Sequence, residues 1–230
     1  MGINRIFVYA VMLGALRLAS LQASAHTLDA HVTAVQPGER IYIGQHGFSA
    51  GYPAKRGSDI GFVTALHGLP LEGQAVRLDS ASGTVVGYVT APIHFSGSAD
   101  GAFISLNQAD FAAAVDGKTF MHSDTRPVQG MILSSASTPP DGIVRIQKHI
   151  VVTNAHFNAN MGGGLVLTDM VQTNGQALYG ESGGLVFRPD GNNAYVQGVI
   201  VGSDAASVNG DNMFFAWAEA VNRAIGVVQE

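Results

Sequence analysis

A serine stands in a glycine-rich turn at Gly180–Gly184, with the order Gly-Glu-Ser-Gly-Gly, directly before the apolar run Leu185–Phe187. Glycine lacks a Cβ, so the backbone of such a turn can adopt unusual dihedral angles and come close to a bound substrate. The hydroxyl of Ser182 can then stand beside the backbone N–H groups of Gly180 and Ser182. A nucleophile next to donors for a developing oxyanion is what acyl transfer requires. The simpler interpretation is an ordinary glycine turn between two strands.

Acyl transfer by a serine also needs a general base and a group that orients the base. His67 directly follows the apolar, strand-like segment Ile60–Leu66. Asp100 ends a polar loop and precedes the apolar run Gly101–Leu106. A buried aspartate that accepts a hydrogen bond from histidine Nδ1 fixes the tautomer and stabilises the imidazolium ion. Taken singly, these residues are as well explained by a satisfied structural histidine and a solvated turn aspartate.

Three local sequences resemble segments of chymotrypsin-like serine proteases, in particular the bacterial streptogrisin and α-lytic group. The turn around Ser182 resembles the Gly-Asp-Ser-Gly-Gly motif of the family's nucleophile. The segment Gly61–His67 resembles Gly-Phe-Val-Thr-Ala-Gly-His, and Asp100–Leu106 resembles the family's Asp-x-Ala-apolar strand. The resemblance implies that Ser182 is the nucleophile, His67 the general base and Asp100 the orienting acid, in the chain order His, Asp, Ser. Asp110 and Asp116 are competing acids without that sequence context.

The same resemblance implies an all-β fold of two six-stranded antiparallel β-barrels with a C-terminal helix and the site between the barrels. We expect a peptidase domain over 38–230, with the N-terminal barrel over about 38–115 and the C-terminal barrel and helix over about 116–230. The composition agrees with many short strands joined by turns, because 47% of the 230 residues are hydrophobic, 13% are charged and 29 are glycine.

The resemblance also implies which residues contact a substrate: Gln176, Tyr179, Val201, Gly202 and Ser203. Gln176 occupies the base of the family's specificity pocket, six residues before the serine. Its neutral amide predicts no trypsin-type preference for Arg or Lys through that residue. Asp211 lies in the segment that closes the far side of the pocket and could reverse this, so the specificity stays open.

Glu181 departs from the aspartate that the family usually carries before its nucleophile. In the family this carboxylate pairs with a freed N-terminal amine or, in the bacterial group, with an internal arginine. The candidates in this chain are Arg145, Lys148 or a processed N-terminus. A buried carboxylate without a partner would be costly.

Other classes of function are weaker or excluded. A catalytically inactive protease homologue that acts as a binding module is the competing hypothesis, favoured by Glu181 and by the absence of the family's disulfides. An α/β-hydrolase needs a histidine after its serine, and none follows Ser182. The chain has no cysteine and no metal-binding motif, and it carries a net charge of -5. We therefore expect no metal, no cofactor and no nucleic-acid partner. The resemblance implies a polypeptide substrate, and we expect a monomer.

Residues 1–25 resemble a signal peptide, with a positive start at Arg5, an apolar run over Ile6–Leu16 and small residues at Ala23 and Ala25. The apolar run is shorter than the roughly 20 residues of a membrane-spanning helix. Residues 26–37 form either a short pro-segment or the first strand. We expect a secreted protein without a stable membrane anchor after processing.

Overall fold

The computed structural model describes residues 33–67, 72–107, 109–203 and 211–230. The predicted signal peptide at 1–25 and the first part of the segment 26–37 lie outside these residues. Within the described residues, no helix has the length and apolarity to cross a membrane.

The described residues form eighteen strands and one helix. The strands are β1 Thr33–Val35, β2 Arg40–Ile43, β3 His46–Ser49, β4 Tyr52–Arg56, β5 Asp59–Thr64, β6 Ala75–Leu78, β7 Val85–Ser96, β8 Ala99–Leu106, β9 Ala109–Phe111, β10 Ala114–Val115, β11 Lys118–Met121, β12 Ile132–Ser137, β13 Arg145–Gly162, β14 Leu165–Thr173, β15 Leu185–Asp190, β16 Asn193–Ser203, β17 Met213–Trp217 and β18 Val228–Gln229. The helix α1 spans Ala218–Ile225, between β17 and β18. The predicted all-β fold with a C-terminal helix is therefore confirmed.

The first sheet has the strand order β18-β4-β5-β8-β7-β6-β2-β3. Only Ala50 and Gly51 separate β3 from β4, so the sheet curls until its two sides meet. Counted with β3 and β4 as one bent strand, six strands close a barrel, and β18 extends it by pairing with β4. Buried apolar side chains fill the inside, among them Ile41, Phe62 and Ile104.

The second sheet has the order β10-β11-β16-β15-β12-β13-β14-β17, and a further pairing of β16 with β17 closes it. The closed part again holds six strands, with β10 and β11 as an extension on one side. Leu133, Ile150 and Phe215 lie in its core. A separate apolar cluster joins the two barrels, because Tyr52 and Phe103 of the first pack in the same cluster as Leu185 and Phe187 of the second. The barrels therefore share buried surface.

Helix α1 and β18 return the chain from the second barrel to the first. The helix buries Ala218, Val221 and Ile225 on one face, which agrees with the helical spacing in the sequence. Asn222 accepts a hydrogen bond of 2.8 Å from the buried hydroxyl of Tyr52 in β4. The helix ends at Gly226, whose left-handed φ of 69° suits a C-terminal cap.

At the start of the described chain, β1 pairs in parallel with β9, with Val35 opposite Phe111. Part of the segment 26–37 thus forms a strand. Strand β10 already belongs to the second sheet and begins at Ala114.

Candidate active site

The turn of Ser182 joins β14 to β15 and is held by both barrels. The carbonyl of Ser182 accepts from the N–H of Ser49 in β3 at 2.7 Å, and the N–H of Gly183 donates to Ile200 in β16 at 2.7 Å. Gly183 has a φ of 86°, and a Cβ there would collide with Thr64 Oγ1 and the carbonyl of Ser49. Only glycine fits this close approach, which explains its place in the sequence.

Two backbone donors of the turn remain available. Glu181, Gly183 and Gly184 donate their N–H groups to acceptors within the protein. The N–H groups of Gly180 and Ser182 have no acceptor among the described residues. They are the two groups that the sequence predicts as oxyanion donors.

Asp100 lies in β8 and His67 just beyond β5, its antiparallel neighbour, where Thr64 is opposite Ala102. Asp100 is fully buried. Its Oδ1 accepts from the N–H groups of Leu66 at 2.9 Å and His67 at 3.0 Å. Its Oδ2 lies 2.5 Å from His67 Nδ1. A carboxylate accepts only, so Nδ1 carries the proton and Nε2 presents its lone pair.

The lone pair of Nε2 faces the serine. His67 Nε2 lies 2.6 Å from Ser182 Oγ, and Oγ is also 3.2 Å from the carbonyl oxygen of Val201. The rings of Phe48 and Phe95 flank the imidazole, with centroids 6.3 Å and 6.0 Å away. The structure thus brings together His67, Asp100 and Ser182, which are far apart in the sequence.

Two opposing effects act on the pKa of His67. Burial disfavours the imidazolium ion, whereas the charge of Asp100 and its hydrogen bond favour it. The carboxylate prevails, so the pKa of His67 is raised above its ordinary value. The competing acids lie elsewhere: Asp110 is an exposed residue of β9, and Asp116 pairs with Lys148 at 2.7 Å.

Glu181 is fully buried beneath the serine turn. Arg145 holds its carboxylate with Nε at 3.0 Å and Nη2 at 2.6 Å. Ser137 Oγ donates at 2.9 Å and the N–H of Leu178 at 2.6 Å. Of the partners that the sequence left open, the structure pairs Glu181 with Arg145, while Lys148 pairs with Asp116.

A cleft of about 370 Å³ opens in front of Ser182 and His67. Its other lining residues are His46, Gly47, Phe48, Ala177, Leu178, Tyr179, Gly180, Gly202 and Ser203. Three of the predicted substrate-binding residues therefore line it, namely Tyr179, Gly202 and Ser203, and Val201 contacts Ser182 through its carbonyl. Gln176 lies outside this lining, and its side-chain amide donates to Asp211 at 3.0 Å.

The sequence analysis missed one wall of the cleft, formed by His46, Gly47 and Phe48 of β3. No local motif marks these residues as functional. They reach the cleft because β3 bends toward the serine turn, where Ser49 Oγ donates to the carbonyl of Gly180 at 3.2 Å. The apolar residues Ile41, Ile43 and Phe48 favour strands in this part of the chain, but the local sequence does not indicate where those strands lie.

No protein-family profile matches the chain, and no curated protein sequence does. Many solved structures are similar to it, and three bacterial-type proteases are among them. Protease A of Thermobifida fusca has 22% identity and a TM-score of 0.65, over 86% of this chain and 98% of its own. A glutamic acid-specific serine protease that uses a histidine triad in substrate binding has 23% identity and a TM-score of 0.67, over 85% and 100%.

The third structure is the Nocardiopsis protease, with 20% identity and a TM-score of 0.66 over 86% of this chain and 100% of its own. At such identities the likeness concerns the fold. The chain therefore has the fold of the bacterial chymotrypsin-like serine proteases, as its sequence motifs predict.

Proposed function

We propose that the protein is a serine endopeptidase that hydrolyses peptide bonds through an acyl-enzyme. The observation that carries the proposal is the continuous hydrogen-bonded line from Asp100 through His67 to Ser182, with distances of 2.5 Å and 2.6 Å. His67 removes the proton from Ser182 Oγ as Oγ attacks the scissile carbonyl. The N–H groups of Gly180 and Ser182 stabilise the oxyanion of the tetrahedral intermediate.

The rest of the cycle uses the same groups. The imidazolium ion of His67, stabilised by Asp100, gives its proton to the leaving amine, and the C–N bond breaks to leave the acyl group on Ser182. Water then loses a proton to His67 and attacks the ester carbon. Collapse of the second intermediate releases the new carboxylic acid and returns the proton to Ser182.

The acyl side of the substrate lies along β16. Strand β15 pairs with β16 as far as Leu185 opposite Val199, and the serine turn bonds both backbone groups of Ile200, so the free edge in the described part of β16 begins at Val201. The carbonyl of Val201 points to Ser182. Because backbone groups alternate in direction along a strand, those of Val201 and Ser203 face the cleft and those of Gly202 face β17. An extended peptide can add as a strand there.

The residue before the scissile bond then lies between Gly202, Ser203 and Tyr179. Gln176 and Asp211 form a hydrogen-bonded pair behind this space. We infer that this pair sets the specificity, and a peptide library with all residues at that position would measure it.

Fluorophosphonate labelling of the folded protein, with peptide mapping, tests the proposal. We expect one adduct, on Ser182, that is absent from the Ser182→Ala and His67→Ala variants. The chain offers a matched control in Ser96, whose Oγ lies 3.1 Å from His94 Nε2 in an exposed pair. Among the described residues no carboxylate contacts His94, so Ser96→Ala should leave the labelling unchanged. A folded protein that takes no adduct would favour the inactive homologue that acts as a binding module.

We further propose that the protein is exported with residues 1–25 as a signal peptide, acts as a monomer and cleaves polypeptides. The division into barrels at about 38–115 and 116–230 belongs to the same proposal. N-terminal sequencing of the exported protein tests the signal peptide, and light scattering tests the monomer.

A further inference from the structure

Arg40 lies directly beside the cleft, against two of its lining residues, although it is not itself part of the lining. It lies in β2, where it pairs with Ser49 of β3, and its guanidinium group lies against Gly47 and Gly180. A Cβ at Gly47 would collide with Nη2 of Arg40, and a Cβ at Gly180 would collide with Nη1. The two glycines thus provide the room for the guanidinium. Both of them line the cleft, and Gly180 carries one of the proposed oxyanion donors.

The charge of Arg40 has no partner of opposite sign. Among the described residues no carboxylate lies within 4.0 Å of its nitrogen atoms. Its contacts are one hydrogen bond from Nη1 to the carbonyl of Thr138 at 3.3 Å and the ring of Tyr42, 5.5 Å from Cζ. The adjacent carboxylate of Glu39 instead accepts from the N–H of Gln36 at 2.7 Å.

A guanidinium group carries five N–H donors in a fixed plane. Arg40 is half-buried and uses one of them within the protein. Water is the poorer partner for such a group, because a carboxylate can accept two parallel hydrogen bonds and also balance the charge. Arg40 is therefore suited to a carboxylate that arrives with a ligand.

The position of Arg40 relative to Ser182 indicates on which side of the scissile bond Arg40 would contact a substrate. Gly202 and Ser203 form one wall of the cleft, where the proposed function places the acyl side. His46, Gly47 and Phe48 also line the cleft, and we place the leaving-group side of the substrate along them. Arg40 lies behind Gly47 on this side of the cleft, and the exposed His46 adds a further possible donor.

We propose that Arg40 is a specificity-determining residue that binds a carboxylate of the first or second residue after the scissile bond. This inference rests on the proposed function. The carboxylate comes either from an Asp or Glu side chain or from a free C-terminus one or two residues beyond the cleaved bond. Its chemistry is the same in both cases, and the peptides below distinguish the two.

The test uses fluorogenic peptides with one common acyl side and an amidated C-terminus. They carry Glu, Gln or Lys at the first or the second position after the scissile bond. A second series carries Gln with a free carboxylate in place of the amide. We measure kcat/KM for the protein and for its Arg40→Gln, Arg40→Lys and Arg77→Gln variants. Arg77, which donates to the carbonyl of Gly83 at 2.7 Å in β6, is the matched control.

We expect roughly a tenfold preference for Glu, or for the free carboxylate, over the neutral peptide, as for one hydrogen bond to a charged group. Arg40→Gln should abolish the preference, Arg40→Lys should keep part of it, and Arg77→Gln should keep all of it. Because the preference is a ratio, a general loss of activity leaves it unchanged. Equal kcat/KM for the Glu, Gln and free-carboxylate peptides, or a preference that survives Arg40→Gln, overturns the proposal.

Failure of the proposed function has a different signature. A folded protein that takes no fluorophosphonate and cleaves no peptide refutes the endopeptidase. Fluorescence anisotropy with labelled peptides and the Ser182→Ala variant then measures the carboxylate preference as a ratio of Kd values. If the peptides with a carboxylate bind more tightly and Arg40→Gln removes this preference, the carboxylate site is retained, but in a binding protein. Equal Kd values for all the peptides overturn the carboxylate site.

Discussion

Asp100 and Glu181 are both fully buried carboxylates, one bonded to His67 and the other within the serine turn. Each accepts hydrogen bonds from backbone N–H groups, Asp100 from two and Glu181 from one. They differ in the basic side chain that faces them. Asp100 faces His67, whose side chain is 28% exposed at the cleft. Glu181 faces the guanidinium group of Arg145, which donates through Nε and Nη2.

The difference between the two partners matches two tasks. An imidazole gains and loses a proton near neutral pH, so the charge opposite Asp100 can change during a reaction cycle. A guanidinium group keeps its charge at any pH at which proteins stay folded. Glu181 and Arg145 therefore hold the conformation of the serine turn, whereas Asp100 can stabilise a charge that forms on His67 during a reaction. The following predictions test this distinction.

The largest effect is expected for Asp100→Asn. An asparagine of nearly the same shape cannot accept from all three donors of Asp100, so it favours the wrong tautomer of His67. In the proposed peptidase kcat should fall roughly 10⁴-fold, with the protein still folded. Asp110→Asn, in the exposed strand β9, is the control and should retain full activity. A loss of less than tenfold in Asp100→Asn would contradict the role given to this carboxylate.

Arg145→Met should act on stability instead, because it leaves the buried charge of Glu181 without its cation. We expect the free energy of unfolding to fall by about 3 kcal/mol, at the low end for buried pairs since Arg145 is 27% exposed. Urea denaturation measures it. The double variant Arg145→Met/Glu181→Gln should recover most of the loss, because no buried charge remains.

The control for Arg145 lies on the same strand. Lys148→Met removes a pair with Asp116 in which the lysine is 54% exposed. Such pairs contribute less than about 1 kcal/mol. If Lys148→Met and Arg145→Met destabilise the protein equally, Glu181 does not depend on its partner in the way described.

The smallest effect is a shift in the pH dependence of kcat/KM. Because the pKa of His67 is raised, kcat/KM should decline with falling pH already above the ordinary histidine value of about 6.5. The stability that the His67–Asp100 pair contributes depends on pH in the opposite direction. It is complete below the pKa of the unfolded state and is lost as the pH rises through the higher folded-state pKa. In the Asp100→Asn variant, the residual kcat/KM should begin to decline only at a lower pH. An unchanged pH profile would show that Asp100 does not raise the pKa of His67.

Local sequence predicted much of the site and its turn, because His67, Asp100 and Ser182 each lie in a short motif. The partner of Glu181 could not be chosen in the same way. Arg145 and Lys148 lie three residues apart in β13, and Lys148 stands at a shift in register between Gln147 and Ile150, so no regular alternation identifies the inner face. The register of β13 against β12, with Ser137 opposite Arg145, decides which of the two basic residues pairs with Glu181.

The wall that holds Arg40 was beyond prediction for a related reason. Its position depends on a contact between Ser49 and Gly180, which are 131 residues apart. Strand propensity indicates a hairpin at β2 and β3, but the surface on which the hairpin lies follows from the packing of whole barrels. The length of β13, which runs unbroken from Arg145 to Gly162, does not follow from the sequence either, because polar residues and shifts in register interrupt its apolar pattern.

The return of the chain through α1 and β18 has a consequence for how the protein folds. Tyr52 of the first barrel bonds to Asn222 across 170 residues, and β18 supplies the last strand beside β4. A ribosome that adds about 5–20 residues per second makes these partners on the order of 10 s apart. The first barrel therefore emerges with one edge uncovered and acquires its final strand only after the second has been made. Contacts so distant in sequence predict slow folding, with the two halves completed together.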